Sequence, residues 1–457
     1  MPAFTLREVL DATGASIAIR AKKEFTDIVT DTRKIEPGVL FIALKGERFN
    51  GEDFAAEAAD RGAAGILVSE ECPEAKLADI SSATVLRAWD TLTAYQQLAR
   101  FWRRRFTLPV IAITGSNGKT TTKDMTAAVL GSRWQVLKTQ ANFNNEIGLP
   151  LTLLKLTPAH QAAVVEIGMR GFGQIAALAP LAQPQIGIVT NVGETHMELL
   201  GSLENIARAK AELVEAIQPG GTVILNADNS YVAAMADKVK PGVRCLTFGL
   251  REKADLMGSE VRTEGQETHF CCTIEGKPYA FTLPMVGEHN VYNALAALTA
   301  GYALGFSPAD MQRGLAALEM TGMRFEYKKV KAYTVINDAY NASPMSMTAA
   351  IRTLAQVAPG RRVAVMGDML ELGSVSVEAH RRVGQELAES GAAVLVTRGE
   401  MGEYIAAGAE AAGLRQVYRC SSHEAAGAIL REVLQPGDTI LFKGSRGMQM
   451  EKIIDLL

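Results

Sequence analysis

The stretch LPVIAITGSNGKTTTK, Leu108–Lys123, decides the fold. An apolar, β-branched run passes directly into a glycine turn, and a lysine-threonine pair then opens a helix. The glycines permit tight backbone turns, so that successive N–H groups point at phosphate oxygens while the helix adds its positive end. Gly115, Ser116, Asn117, Gly118 and Thr121 are the wrapping residues. Lys119 neutralises β- or γ-phosphate charge, and the Thr120 hydroxyl is placed to ligate Mg²⁺. Ile113 stands where the general GxxxxGK[ST] pattern has its first glycine. The competing reading is a helix-entry turn with a solvent-facing lysine.

Working outward, apolar runs alternate with helical patterns along almost the whole chain, which is the mark of parallel sheets covered by crossover helices. The class is α/β. Before the stretch lie strand candidates VLFIAL, AGILVS and TVLRA, and an amphipathic helix over 91–104. After it come AAVVEIG, IGIVTNVG and GTVILNAD, each ending where a loop must begin. Ligands of open parallel sheets bind outside the carboxyl ends of the strands, so the residues following these runs are the candidates. Between Leu256 and Met285 the alternating texture predicts an antiparallel appendage. YTVIND, RRVAVMGD, AAVLVTRG and DTILFKGS then build a last α/β unit. The expected domains are 1–105, small and mixed α/β; 106–322, a central nucleotide-binding parallel sheet; and 323–457, a Rossmann-like unit.

With 457 residues, 48% hydrophobic, 21% charged and a net charge of −3, the chain suits a soluble globular protein of about three domains. No basic excess points to nucleic acid, and FWRRRF, 101–106, is expected to be a solvated segment between domains. Five cysteines without metal-type spacing imply a reducing compartment, with Cys271 and Cys272 as strand residues. No leader or membrane-spanning pattern is visible, so a cytoplasmic protein, expected to be a monomer, is the reading.

Five further positions carry chemistry. Glu166 closes a buried strand, where an acid needs a cation or several donors; Mg²⁺ is the sharper partner and a structural satisfaction the plainer one. His196 follows IGIVTN and suits a second metal or a phosphate. Lys210 lies on the apolar stripe of its helix with Ile206, Leu213 and Val214. It either snorkels to water or is a desolvated amine that reacts with CO₂ to give a carbamate, a carboxylate-like metal ligand. Arg324 and Asp338, at the start of the last unit, either serve a phosphoryl-transfer centre or form a salt bridge between domains.

Taken in order, these stretches resemble the Mur ligases. DTRKIEPGVLFIALKGERFNGEDF is similar to the family's uridine-nucleotide domain, and ITGSNGKTTTK, NFNNEIGLPLTLL and TNVGETHMELLGS to its ATPase domain. GEHNVYNALAA, NDAYNASPMSM, VMGDMLELG and KGSRGMQMEKI complete the match. The resemblance implies an ATP-dependent amide ligase that joins D-alanyl-D-alanine to UDP-N-acetylmuramoyl-tripeptide through an acyl phosphate, in peptidoglycan synthesis. It implies two Mg²⁺ ions, with Thr120 and Glu166 on the first and His196 and carbamylated Lys210 on the second. Asn290 is implied at adenine, Asp338 at the nucleoside and Arg324 at the phosphates. Asn142, Asn144 and Asn145 are implied on the muramoyl-peptide side, and Thr32, Arg33, Lys45, Gly46 and Asn50 at the uridine nucleotide. Ala339 and Gly447 stand where the family often has serine. The alternatives are the sister ligase adding the third stem residue, folylpolyglutamate synthase, a phosphate-loop motor, and a module that only binds.

Overall fold

The computed structural model describes residues 3–46, 49–320, 322 and 325–457. They pack as two compact units: one of Met1–Ala112, Trp134–Gly168 and Ile175–Ile186, the other of Ile113–Arg133, Met169–Gln174 and Gly187–Leu457.

In the first unit a five-stranded sheet runs Ser16–Ile19, Thr84–Ala88, Gly65–Ser69, Leu40–Ile42, Ile28–Val29. Its last four strands are parallel and the Ser16–Ile19 edge is antiparallel. Val39, Phe41, Ile66, Val68 and Val85 form a core against the small residues Ala55, Ala58 and Ala59 of a short helix. The parallel pairing sets the loops after Ile28–Val29 and Leu40–Ile42 side by side, and those loops carry Thr32, Arg33, Lys45, Gly46 and Asn50. A parallel pair, Val136–Lys138 with Ala162–Glu166, belongs to the same unit.

The expected helix over 91–104 is found as Thr91–Arg103, started by the Asp90 carboxylate accepting from Thr93 N–H. The solvated reading of FWRRRF fails at its centre. Trp102 and Arg103 are buried, Trp102 Nε1 donating to Leu156 O and Arg103 donating to Ala182 O, Phe106 O and Leu108 O. A guanidinium that caps three main-chain carbonyls is a structural clamp, because its donors satisfy acceptors that would otherwise be stranded.

In the second unit Thr222–Asn226, Arg244–Gly249 and Leu256–Glu264 are successive parallel neighbours. From Leu256 the expected antiparallel appendage follows, through Glu267–Ile274 and Lys277–Leu283. Cys271 and Cys272 lie in it, and all five cysteines are free thiols. A six-stranded sheet runs Glu326–Val330, Tyr333–Asp338, Thr439–Lys443, Arg362–Gly367, Val394–Arg398, Gln416–Cys420, parallel except at the Glu326–Val330 edge. Arg244–Gly249, Glu326–Val330 and Gln416–Cys420 are strands the pattern reading missed, because exposed positions break their apolar runs. Among the described residues no helix is long and apolar enough to cross a membrane.

Candidate active site

The strand Val110–Thr114 is buried throughout and delivers the chain to the phosphate loop. Two loop glycines have no room for a side chain. A Cβ on Gly115 would stand 1.9 Å from Thr190 Oγ1, and one on Gly118 2.3 Å from Asn293 Oδ1, and both residues have positive φ, 149° and 77°. The loop is further pinned by the TNVG turn: Ser116 N–H donates to Asn191 O at 2.9 Å and Asn117 N–H to Asn191 Oδ1 at 2.8 Å. Thr190 Oγ1 donates to Asn117 O at 2.7 Å. Lys119 opens the helix Lys119–Gly131, and its ammonium folds back to donate to Gly115 O at 2.8 Å and Ser116 O at 3.2 Å. The solvent-facing alternative for this lysine is therefore excluded. Thr120 and Thr121 are buried on the first turn.

Lys210 sits on the Leu203–Ala216 helix, which Ser202 starts by accepting from Asn205 N–H. Only 2% of Lys210 is exposed, which rules out snorkelling. Burial, joined by the like charge of Lys119, pushes its pKa well below 10.5. His196 follows in the same loop system with left-handed backbone, φ 58°. Burial holds its imidazole below 6.5, Glu371 opposes that, and the charges of Lys210 and Lys119 add to it. Lys119, His196 and Lys210 thus act on one another electrostatically, a group the sequence names but cannot assemble.

Glu166 ends the strand Ala162–Glu166 and is 2% exposed. Its N–H donates to Thr139 Oγ1 at 3.1 Å, and its Oε1 accepts from Asn144 Nδ2 at 2.7 Å. Asn144, expected on the substrate side, thus also holds the Glu166 carboxylate. Asn145 Oδ1 accepts from Gly148 N–H at 2.9 Å at the start of the helix Gly148–Leu153, and the Asn142 carbonyl accepts from Asn144 N–H.

Asn290, on the helix Glu288–Ala303, donates through Nδ2 to Val286 O at 2.7 Å and accepts from Asn293 Nδ2. Asp338 and Lys443 are register partners at the ends of neighbouring strands, which places Lys443 Nζ 2.5 Å from Asp338 Oδ2. This salt bridge lies within the last sheet, so of the two readings of Asp338 the salt bridge between domains gives way to a local pairing. Both charges bear on His289, the neighbour of Asn290, whose pKa burial lowers to about 4. Arg324 lies outside the described residues.

In the first unit Arg33 is paired with Asp31 at 2.9 Å, and Thr32 O accepts from Arg61 Nη1. Lys45 and Asn50 face each other across a bridge, Gly46 N–H donates to Phe49 O at 2.8 Å, and Asn50 Oδ1 accepts from Glu52 N–H. The pairing of Arg33 draws the Asp31 carboxyl down to about 2.

A phosphate-wrapping loop on an α/β scaffold, with a desolvated lysine and a histidine under the loop lysine's charge, defines an enzyme that works on a nucleoside triphosphate. The chain belongs to the Mur ligase family. Residues 24–103 match the model described as "Mur ligase family, catalytic domain", 113–301 "Mur ligase middle domain" and 323–446 "Mur ligase, glutamate ligase domain". It is 41% identical over 93% of its length, and 92% of the relative's, to the UDP-N-acetylmuramoyl-tripeptide--D-alanyl-D-alanine ligase of Bacillus subtilis. The corresponding Escherichia coli ligase is 35% identical over 97% of this chain and 95% of its own. Among solved structures, MurF from Acinetobacter baumannii superposes with a TM-score of 0.91 at 32% identity, covering 100% of this chain and 99% of that one. The fold is the three-domain Mur ligase fold.

Mg²⁺ fits these donors. Among the described residues no trio of His, Cys, Asp and Glu converges as a ready-made cage. Mg²⁺ keeps several waters and takes one or two protein oxygens plus substrate phosphates, so a hydroxyl such as Thr120 or a fixed carboxylate such as Glu166 is the protein share it needs.

Proposed function

We propose that this chain is an ATP-dependent amide ligase that joins D-alanyl-D-alanine to UDP-N-acetylmuramoyl-tripeptide, giving the pentapeptide precursor of peptidoglycan. What carries the reading is the phosphate loop, whose glycines have no room for a side chain and whose lysine is folded onto Gly115 O and Ser116 O. A structure of the MurF ligase from Thermotoga maritima, 26% identical with a TM-score of 0.83 over 94% of this chain and 96% of that one, is a complex with ADP. That supports ATP as the phosphoryl donor here.

The chemistry follows from charge. A carboxylate and a triphosphate repel each other, and an amine cannot expel a carboxylate oxygen unaided. The loop Gly115–Gly118 and the positive end of the helix behind it hold the β- and γ-phosphates, and Lys119 leaves its loop carbonyls to balance their charge. The tripeptide carboxylate attacks the γ-phosphorus, ADP leaves, and the dipeptide amine displaces phosphate from the acyl phosphate, losing a proton as the amide forms.

Bound Mg²⁺, in the proposal two ions, supplies charge neutralisation and Lewis acidity. Thr120 and Glu166 are the proposed residues for the first and His196 and Lys210 for the second. Lys210, whose pKa burial lowers well below 10.5, is proposed to form an N–C bond to CO₂ through its deprotonated amine and to shed a proton, becoming a carbamate. Asn290 and Asp338 are proposed for the nucleoside, Arg324 for the phosphates, and Asn142, Asn144 and Asn145 for the muramoyl-peptide side. Thr32, Arg33, Lys45, Gly46 and Asn50 are proposed for the uridine nucleotide. The domains at 1–105, 106–322 and 323–457, the monomeric state and a cytoplasmic location belong to the same proposal.

ADP release by the purified protein tests it. Release that requires both UDP-N-acetylmuramoyl-tripeptide and D-alanyl-D-alanine is expected; release indifferent to both identifies a motor, and replacement of the dipeptide by a single amino acid identifies a sister ligase. Lys210→Ala is expected to lose activity. If it keeps full activity and bicarbonate has no effect on the parent enzyme, the carbamate is wrong.

A further inference from the structure

The loop Asp368–Gly373 of the last sheet holds out a carboxylate on a fixed mount. Met369 N–H donates to His380 Nε2 at 2.9 Å, Leu370 N–H to Ser445 Oγ at 2.9 Å, and Ser445 N–H to Asp368 O at 3.0 Å. Glu371 then adopts left-handed backbone, φ 62°, an unusual state for a residue with a side chain. Its carbonyl accepts from Glu198 N–H at 3.2 Å. Its carboxylate is divided between two groups: Oε1 takes the Arg170 guanidinium, and Oε2 lies 2.5 Å from His196 Nδ1. Both partners draw the Glu371 carboxyl down against a burial that raises it.

Two observations identify what such a pair binds. A guanidinium and an imidazole that converge on the two oxygens of one carboxylate are a carboxylate receptor, and the planar guanidinium is suited to that geometry. The receptor is also accessible, since the Arg170 side chain is 68% exposed, and it lies beside the phosphate loop, since Thr195, the residue before His196, donates through Oγ1 to Ser116 Oγ at 3.0 Å.

We propose that Arg170 and His196 form the subsite for the reacting carboxylate of the acid substrate, and that Glu371 fills this subsite until the substrate displaces it. The inference rests on the ligase reading. Acid binding and release of the Asp368–Gly373 loop then become one exchange, and the resident carboxylate lowers the apparent affinity for acid by the fraction of time it fills the site.

The test compares binding of UDP-N-acetylmuramoyl-tripeptide with that of the same molecule carrying a carboxamide at its reacting carboxyl, by calorimetry on the full chain. The parent protein is expected to prefer the acid. Arg170→Ala should weaken acid binding roughly tenfold, the usual cost of a charged hydrogen bond, while leaving the amide nearly unchanged. Arg170→Lys should recover part of the preference, and Glu371→Ala should bind acid several-fold more tightly without gaining for the amide. Equal weakening of acid and amide in Arg170→Ala, or no gain for acid in Glu371→Ala, overturns the subsite. A parent protein that binds neither compound overturns the ligase reading; one that prefers the acid, with variants that keep the preference, overturns this inference alone.

Discussion

The phosphate loop and the Thr32–Asn50 loops contrast in how far their side chains are exposed. Around Gly115–Lys119, glycines are crowded by Thr190 and Asn293, backbone donors are taken by Asn191, and the lysine is folded onto two carbonyls. In the other region Arg33 has an 85% exposed side chain and Phe49 is 72% exposed. A centre for phosphoryl transfer gains from groups fixed before the substrate arrives. In the proposed function the Thr32–Asn50 surface recognises a remote part of the substrate, and such a surface contributes binding.

Mutation can break that contrast. The largest effect is expected at Lys119→Ala, which should lower kcat by a factor on the order of 10²–10³, read in the ADP-release assay. Next comes Asn144→Ala, which frees the Glu166 carboxylate from the 2.7 Å bond that aims it. If Glu166 holds Mg²⁺ as proposed, the Mg²⁺ concentration for half-maximal activity should rise roughly tenfold, as is usual when a partner of a metal ligand is removed. Arg33→Ala should raise KM for the uridine substrate roughly two- to fivefold and leave kcat unchanged, as expected for an exposed pair that binds ground and transition states alike. A kcat loss at Arg33 as large as that at Lys119 would erase the distinction between the regions.

The smallest effect sharpens it at a third place. His380 is buried and neutral, Nδ1–H donating to Ser376 O at 2.7 Å while Nε2 accepts from Met369 N–H. Burial lowers its pKa from 6.5. The unfolded chain therefore binds a proton more readily than the folded chain, and stability is lost as pH falls below 6.5. The slope of Tm against pH from 7 to 5 should be shallower in His380→Gln, by on the order of 1–2 °C across the range. Equal slopes would show that this histidine is protonated as easily folded as unfolded.

How much was legible depended on the range of the interaction. Glycine and lysine in the phosphate loop are demanded by local backbone geometry, and strand ends are marked by breaks in apolar runs, so Leu108–Lys123, Glu166, His196 and Lys210 could be named from the chain alone. Lys210 was found by a helical period, a three- or four-residue signal. The clamp by Arg103 could not be separated from a charged surface run, because its acceptor at Ala182 is remote in sequence. Asn191 and Asn293 stood inside stretches already quoted, yet nothing local shows which glycine or amide each would meet.

The sequence by itself determined the α/β class, the phosphate-binding loop and the kinship with the Mur ligases, because short-range periodicity and backbone sterics are written in neighbouring residues. Only the tertiary structure decided that Asn144 holds Glu166, that Asp338 pairs with Lys443, and that Glu371 sits between Arg170 and His196. These are pairings of charge and hydrogen bond between distant positions, and a carboxylate chooses its partner by distance in space.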